Sequence, residues 1–449
     1  MVRQPTRQLL VIAHGHPLVS RGGGEHAAYA LHQAFQKRVG WRSFFLGACR
    51  DRDRFHGQQL KRLDPEQEAL FEANGAAHQS IFASTLDLSA QGELARLVAE
   101  LQPDVIHLHH VLHLGLAAIA ALRQWAPQAR ILLTLHEFLL MCPWRGQLRT
   151  IQGELCSGPT LEGCLDCCPW MQPADWLIRQ ESGRELQHWL DLFISPSQTL
   201  VTQFVANGWP AEMLCVVENV LPDALDSAVV RSRVDAYCNA SYVATQPQPL
   251  HQVFGFFGNC REVKGLDLIL QAWQQVVRHC PVARLQVHGP VQQLLEELAL
   301  SHRSEDRRYA ERLTLLLEQL QESVQLCGAY EQEQIPERMA GLGWVLMSSR
   351  WLENSPVVIQ EAKACGRPLL VPALGGMAEK VRDGVDGWHV PPENSQALAS
   401  KILACCHEAE AWVAMQQTVQ PPLAMDQLLA MHEALYLAPV LKISRPRMR

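Results

Sequence analysis

Short, almost wholly apolar runs recur along this chain, each followed by a stretch whose apolar residues have helical spacing. Leu9-Leu-Val-Ile-Ala13 leads to a helix expected over 27–35, and Ser43–Gly47, Asp104–His109 and Arg130–His136 alternate with helices expected over 90–101 and 114–125. Runs this short and apolar suit strands buried on both faces, and strands alternating with helices predict a parallel, doubly wound α/β sheet. A second series opens at Val253–Gly258 and continues through Arg284–Gly289, Val324–Tyr330, Trp344–Ser349 and Leu369–Ala373. At 449 residues the chain exceeds one ordinary core, so two Rossmann-like domains are expected. The boundaries read as residues 1–222, a polar linker over 223–250, a second domain over 251–395, and terminal helices over 396–449. Ligands of such sheets lie at the carboxyl ends of the strands, so the residues just beyond each run are the candidates for chemistry.

Composition narrows the class of partner. A net charge of -7 argues against nucleic acid, whose phosphates need a basic surface. The opening residues lack the basic, apolar and small-residue order of a secretory signal, and the apolar run 111–122 is too short to span a bilayer. A cytoplasmic protein is expected. Its 14 cysteines are then reduced thiols or metal ligands rather than a disulfide framework.

The stretch Trp351-Leu-Glu353-Asn-Ser355-Pro356-Val-Val-Ile-Gln-Glu361-Ala-Lys-Ala-Cys-Gly366 brings two carboxylates to a loop-to-helix junction. Ser355 suits the N-cap, Pro356 the first helical position and Gly366 the residue past the end. Glu353 then precedes the helix and Glu361 lies inside it, on either side of a helix N-terminus whose free amides favour phosphate. Carboxylates accept hydrogen bonds from hydroxyls, so a phosphate between two hydroxylated groups is the fitting ligand: a nucleotide sugar.

This stretch resembles the glutamate-x7-glutamate signature of family 4 retaining glycosyltransferases, which have the GT-B architecture of two Rossmann-like domains facing across a cleft. Other segments are similar to that family in order. His14-Gly-His-Pro17 with Arg21-Gly22-Gly23-Gly24-Glu25 looks like its first glycine-rich loop, and Thr134-Leu-His136-Glu137 like its Thr-x-His-Asp segment. Gly258-Asn-Cys-Arg261-Glu-Val-Lys264-Gly265 is similar to its Gly-Arg-x4-Lys-Gly pattern, with Asn259 where the arginine usually stands. The resemblance implies that Glu361 holds ribose hydroxyls and Glu353 the donor sugar. It implies that Lys264, with the backbone of Asn354, Ser355, Pro356 and Val357, of which all but the proline carry an N–H, meets the diphosphate, and that His136 approaches the sugar. Gly23, Gly24 and Gly258 would allow close backbone approach, Arg261 would replace the missing arginine, and His109 is a weaker candidate beside His136. The resemblance also implies that the terminal helices over 396–449 return to the first domain, and no catalytic divalent cation is expected. The expected reaction moves a sugar from a nucleotide-diphosphate donor to an acceptor hydroxyl, on a glycan or a lipid-linked carrier of surface polysaccharide synthesis. A non-catalytic binding protein and an epimerase or phosphorylase on the same fold are the competing readings.

Two further features stand outside that set. Cys142, Cys156, Cys164 and Cys167 lie in an insertion over 142–168 with a closing C-x-x-C, which fits a structural zinc site. Plain reduced thiols compete with that reading, and an iron–sulfur cluster is a third. Basic clusters, Arg50, Arg52, Arg54, Lys61 and Arg62 in one and Lys442, Arg445, Arg447 and Arg449 in the other, suit peripheral contact with anionic lipid at the inner membrane face.

Overall fold

The structure, a computed structural model, describes residues 6–20, 22–73, 81–222, 230, 234 and 249–439. Two compact units emerge: residues 1–222 with 425–449, and residues 223–424. The expected linker and the C-terminal basic tail fall almost wholly outside the described residues.

Unit 1 is built on an eight-stranded sheet in the order β3-β4-β2-β1-β5-β6-β7-β8. The strands are β1 Arg7–Ala13, β2 Trp41–Cys49, β3 Leu60–Asp64, β4 Glu68–Glu72, β5 Val105–His109, β6 Arg130–Thr134, β7 Leu192–Ser195 and β8 Leu214–Val216. All neighbours pair in parallel except β3 with β4. The central strands are buried along nearly their whole length, as continuous apolar runs require. The β3–β4 hairpin escapes a reading from sequence because its edge strand, Leu-Lys-Arg-Leu-Asp, is only half-buried and carries charges throughout.

The helices of this unit are α1 Gly23–Lys37, α2 Glu93–Leu101, α3 Leu116–Trp125, α4 Leu161–Cys167, α5 Pro173–Trp189 and α6 Gln198–Ala206. On α2, Leu94, Ala95, Leu97 and Val98 form one buried stripe, and Gln102 ends the helix in the left-handed region at φ 46°.

Unit 2 has six parallel strands in the order β11-β10-β9-β12-β13-β14, the nucleotide-binding order. They are β9 Val253–Phe257, β10 Arg284–His288, β11 Val324–Gly328, β12 Trp344–Leu346, β13 Leu369–Pro372 and β14 Gly387–Val390. Its helices are α7 Leu266–His279, α8 Val291–Ala299, α9 Ser304–Leu320, α10 Ile335–Ala340, α11 Val357–Ala364, α12 Gly375–Lys380, α13 Ser395–His407 and α14 Ala409–Thr418. Phe254, Trp273, Leu285 and Trp344 centre the core.

The terminal segment divides. Helices α13 and α14 stay in unit 2, where Ile402, Cys405 and Trp412 join the core. Only α15, Met425–Leu437, belongs to unit 1. There Leu428, Leu429 and Tyr436 pack with Leu31 and Phe35, each large apolar side chain contributing about 1.5–3 kcal/mol by burial. Its register is fixed by polar contacts: Trp41 Nε1 donates to Glu433 (2.9 Å), and the Tyr436 hydroxyl meets His107 Nδ1 at 2.7 Å.

Candidate active site

In unit 2 the strand order reverses between β9 and β12, and the candidate residues gather beyond those two ends. After β9 the chain passes Gly258, at φ 147°, and reaches Lys264 in a single 3-10 turn closed by Gly265 at φ 72°. Gly265 is required twice over, because a Cβ there would lie 2.1 Å from the carbonyl oxygen of Ser348. Ser348 Oγ donates to the Gly265 carbonyl (2.7 Å), tying the lysine turn to the end of β12.

That tie places Lys264 Nζ 2.5 Å from Glu353 Oε1, and Ser349 Oγ donates to the same oxygen at 2.7 Å. Glu353 is buried, so its charge is held by one cation and one hydroxyl rather than by water. The loop bearing it rests on Gly375 and Gly376. Gly376 N donates to the Glu353 carbonyl (2.7 Å), and a Cβ on Gly376 would fall 1.5 Å from the Asn354 oxygen. Ser349 and Gly376 were legible as a strand end and a loop, but nothing in the sequence tied them to Glu353.

Helix α11 begins at Val357 with Pro356, at φ -60° and ψ 120°, as its N-cap, one residue later than expected. Ser355 precedes the cap. Gly366, at φ 65°, stands past the helix end as predicted, with Arg367 N bonded back to the Ala362 carbonyl (2.8 Å). Glu361 lies in the second turn and is buried. Among the described residues no protein hydrogen bond reaches its carboxylate, and burial pushes its pKa up to about 7. A buried acid without a protein partner is poised to accept hydrogen bonds from a ligand.

Arg261 does not join this group. Its guanidinium pairs with Glu297 at 2.8 Å on the exposed side of α8, so Lys264 stands here without a second cation from that loop. Arg350, next to the motif, is bound instead to buried Asp267 at 2.8 Å. At the ends of β9 and β10, the Phe257 and His288 rings stack at 4.3 Å and 9°, with Arg338 on His288 Nδ1 (3.2 Å) and Tyr330 packed edge-on against Phe257.

In unit 1 the corresponding reversal lies between β1 and β5. Helix α1 starts at Gly23, so Gly23, Gly24 and Glu25 form its first turn rather than the loop expected from their sequence. Two glycines are poor helix formers, but they leave the first amides bare and make room for rings. A Cβ on Gly24 would lie 3.3 Å from both His136 and His14. His136, two residues past β6, meets His109 Nδ1 through Nε2 at 3.2 Å. His14 lies against Glu25 (3.4 Å), and His110 Nε2 is 2.9 Å from Glu137 Oε1.

Burial lowers the pKa of His136 to about 3, with the charges of His14 and His110 acting in the same direction; it lowers that of His110 to about 4. Burial likewise pushes Glu137 up to about 8. At neutral pH this face therefore holds neutral imidazoles, a largely protonated Glu137 and an ionised Glu25, whose pKa is lowered, against the effect of burial, by His14 and by the hydrogen bond from Ser20. Sequence reading reached His136 and His109 through their strand ends; Glu25 and Glu137 stood in the glycine-rich and Thr-x-His-Asp segments without a role, and His110 emerged only when the loops converged.

The four cysteines of the insertion border one cavity, although among the described residues no three His, Cys, Asp or Glu side chains stand in a metal-ligating array. No described helix is long and apolar enough to cross a membrane. In the first basic cluster Arg52, Arg54 and Arg62 are paired with Glu72, Asp51 and Glu100 at 2.8, 2.9 and 2.6 Å.

Comparison with known proteins agrees with this layout. Residues 246–419 match the family described as glycosyl transferases group 1, and residues 21–223 match glycosyltransferase family 4. The D-inositol 3-phosphate glycosyltransferase of Segniliparus rotundus is 30% identical over 190 residues, 41% of this chain and 39% of that protein. Its counterpart in Corynebacterium jeikeium is 29% identical over 160 residues, 34% of this chain and 35% of that one. The chain thus matches less than half the length of these curated relatives. Among solved structures, Anabaena HepE in complex with UDP and glucose superposes with a TM-score of 0.62 at 19% identity, covering 96% of this chain and 100% of that one. Sucrose-phosphate synthase from Thermosynechococcus elongatus gives 0.61 at 16% identity, over 96% and 98%.

Proposed function

From the premise that this chain belongs to the glycosyl transferases group 1 family and has the GT-B class of fold, we propose that it transfers a sugar, with retention of configuration, from a nucleotide-diphosphate donor to an acceptor hydroxyl. The observation that carries the reading is the arrangement at the start of α11. Lys264 and Ser349 hold Glu353 in place, while the Glu361 carboxylate lies buried without a protein partner. Glu361 accepts the ribose hydroxyls and Glu353 those of the donor sugar. Lys264 and the first amides of α11 stabilise the charge that grows on the departing diphosphate, a preorganised field rather than covalent catalysis. The stacked Phe257–His288 pair offers a flat apolar seat at the strand ends for the base.

In the reaction the bond from the anomeric carbon to the diphosphate oxygen breaks as the acceptor oxygen bonds to that carbon on the same face, and a diphosphate oxygen takes the hydroxyl proton. His136, neutral at pH 7, donates a hydrogen bond to a sugar hydroxyl without adding charge. The reaction is assigned no catalytic metal: the chain's Asp51-Arg-Asp53 sits on an exposed turn, and Asp51 is paired with Arg54. HepE solved with UDP-glucose and the inositol-phosphate relatives favour a uridine-type donor and a polyol or glycan acceptor.

A role in surface glycan synthesis, on the cytoplasmic side and against anionic lipid, belongs to the same reading. Arg50, Lys61 and the basic tail would carry that contact, since the other arginines of the first cluster are paired. The test is a panel of nucleotide sugars screened by thermal shift, then product analysis by anomeric NMR. An α-linked product from an α-linked donor supports the proposal. Tight nucleotide binding with neither transfer nor donor hydrolysis would establish the non-catalytic alternative, and salt-insensitive indifference to anionic vesicles would remove the lipid contact.

A further inference from the structure

The segment between β6 and α5 has too little secondary structure to hold itself together. It contains one isolated antiparallel bridge, Arg149 to Leu155, and the seven-residue helix α4. Small segments without their own core are commonly stapled by a metal or disulfides. Its turns bring four cysteines to the border of one cavity of about 70 Å³, although their side chains do not converge on a point as they stand. Cys142 follows a turn closed by its own amide on the Phe138 carbonyl (2.7 Å), and Cys156 is set by its amide on the Leu148 carbonyl (2.8 Å). Cys164 and Cys167 are three apart on α4, whose start is fixed by Thr160 Oγ1 accepting from Gly163 N (3.2 Å), so both lie on one helical face.

The cavity lining includes all four cysteines and no carboxylate, imidazole or lysine. Its one charged residue, Arg149, folds back over Gly153, with Nη2 3.1 Å from where a Cβ would stand. A donor set of thiols alone suits zinc and excludes magnesium or calcium.

A second, independent observation comes from α5. Arg179 is buried at 5% exposure, its Nη2 donates to the Leu139 carbonyl, and among the described residues its Nε has no hydrogen-bond partner and its guanidinium makes no ion pair. A buried guanidinium without a counter-charge is expensive, by several kcal/mol. The groups close enough for their charge to reach it are Cys142, Cys164 and Cys168, and Glu137, which burial keeps largely protonated at neutral pH. Neutral thiols do not offset a cation, whereas four thiolates around a divalent ion carry a net charge of about -2.

We propose that Cys142, Cys156, Cys164 and Cys167 bind one structural zinc ion that fastens this segment, with Arg179 as its buried counter-charge. Binding draws the four sulfurs inward to about 2.3 Å from the metal and releases the thiol protons to solvent, with no change of oxidation state. Cys168, adjacent to the cluster but outside the cavity lining, and Cys215, on β8, are not ligands.

The test uses the full chain, purified under reducing conditions without chelator and then supplied with zinc. Elemental analysis is expected to give about one zinc per chain, falling below about a tenth in Cys156→Ser and Cys164→Ser and unchanged in Cys168→Ser and Cys215→Ser. Because ligand variants can fail to fold, the wild-type chain is also stripped by chelator. Its melting temperature should fall and return with zinc but not magnesium, and cobalt in place of zinc should give the intense thiolate charge-transfer absorption of a sulfur-ligated site. Arg179→Met should release zinc to a competing chelator about tenfold more readily. The proposal is overturned by a zinc-free wild-type chain after reconstitution, by iron in zinc's place, or by full zinc content in Cys156→Ser and Cys164→Ser; unchanged chelator competition in Arg179→Met would remove the counter-charge.

Discussion

The two units solve one geometrical problem with opposite electrostatics. In each, the strand order reverses at the sheet centre, and a helix N-terminus stands beside the strand ends. In unit 2 the groups there are charged and bound to one another: Lys264 to Glu353 at 2.5 Å, with Ser349 on the same oxygen. In unit 1 the imidazoles are buried and neutral, His136 against His109 and His110 against Glu137 with its raised pKa, and Glu25 beside His14 is the one group held as an anion. A leaving diphosphate carries charge and needs fixed charge to meet it. An incoming hydroxyl is neutral, and a field of unpaired charges beside it would favour water instead. The difference is what a division into donor and acceptor units would require.

The largest effect should come from breaking the charged half. Glu353→Gln and Lys264→Ala are each expected to lower kcat by about 10²–10³-fold, with smaller changes in donor KM for Glu353→Gln. Steady-state kinetics on the donor found in the panel checks this, and wild-type turnover in both variants would undo the assignment.

Next in size is Glu361→Gln. Losing a charged acceptor costs about 1.5–3 kcal/mol, so nucleotide Kd should rise roughly tenfold or more. The free protein should become more stable at neutral pH, because the raised pKa means folding disfavours the carboxylate above its ordinary range. In the wild type, nucleotide affinity should decline as pH falls through about 7. Calorimetry across pH and a denaturant melt separate the two effects; a variant that loses both binding and stability contradicts the picture of a buried acid kept for its ligand.

A smaller effect is expected in the neutral half. His136→Ala should reduce kcat about ten- to a hundredfold, within the range usual for a positioned hydrogen-bonding group, with nucleotide Kd nearly unchanged. Gly24→Ala should follow it in the same direction and less far, since its new methyl group would stand 3.3 Å from His136. Equal losses of nucleotide affinity would mean that His136 serves the nucleotide.

The mildest test concerns stability alone. His32, His110 and His432 have pKa values lowered to about 4 and His136 to about 3, all chiefly by burial. The folded state therefore refuses protons that the unfolded chain accepts below about 6.5. Stability supported by these groups is complete above that pH and is lost as pH falls from about 6.5 towards 3–4. Urea melts between pH 7 and 5 should show the decline, and His110→Gln should flatten it. A pH-independent midpoint would show that these histidines are not buried neutral.

The central strands of both sheets, the order of their appearance, Lys264-Gly265, the Glu353–Glu361 pair and the glycine past α11 could be read from the sequence, whereas the β3–β4 hairpin could not. Apolar runs, glycine positions and helix punctuation are local signals, and local sterics enforce them. What required the fold was every relation across distance. Arg261 looked like the missing cation until Glu297 on a neighbouring helix claimed it. Gly23 and Gly24 read as loop because propensity speaks against two glycines in a helix, while the rings of His14 and His136, 3.3 Å from a Cβ at Gly24, leave little room for a side chain there. The return of the terminal helices to the first domain is implied by the resemblance, but only tertiary structure limited it to α15, whose Tyr436 satisfies His107, and kept α13 and α14 in unit 2. Only it made the carboxyl groups of Glu137 and Glu361 poor anions, since a pKa is set by the water excluded around a group and by the charges the fold brings near it.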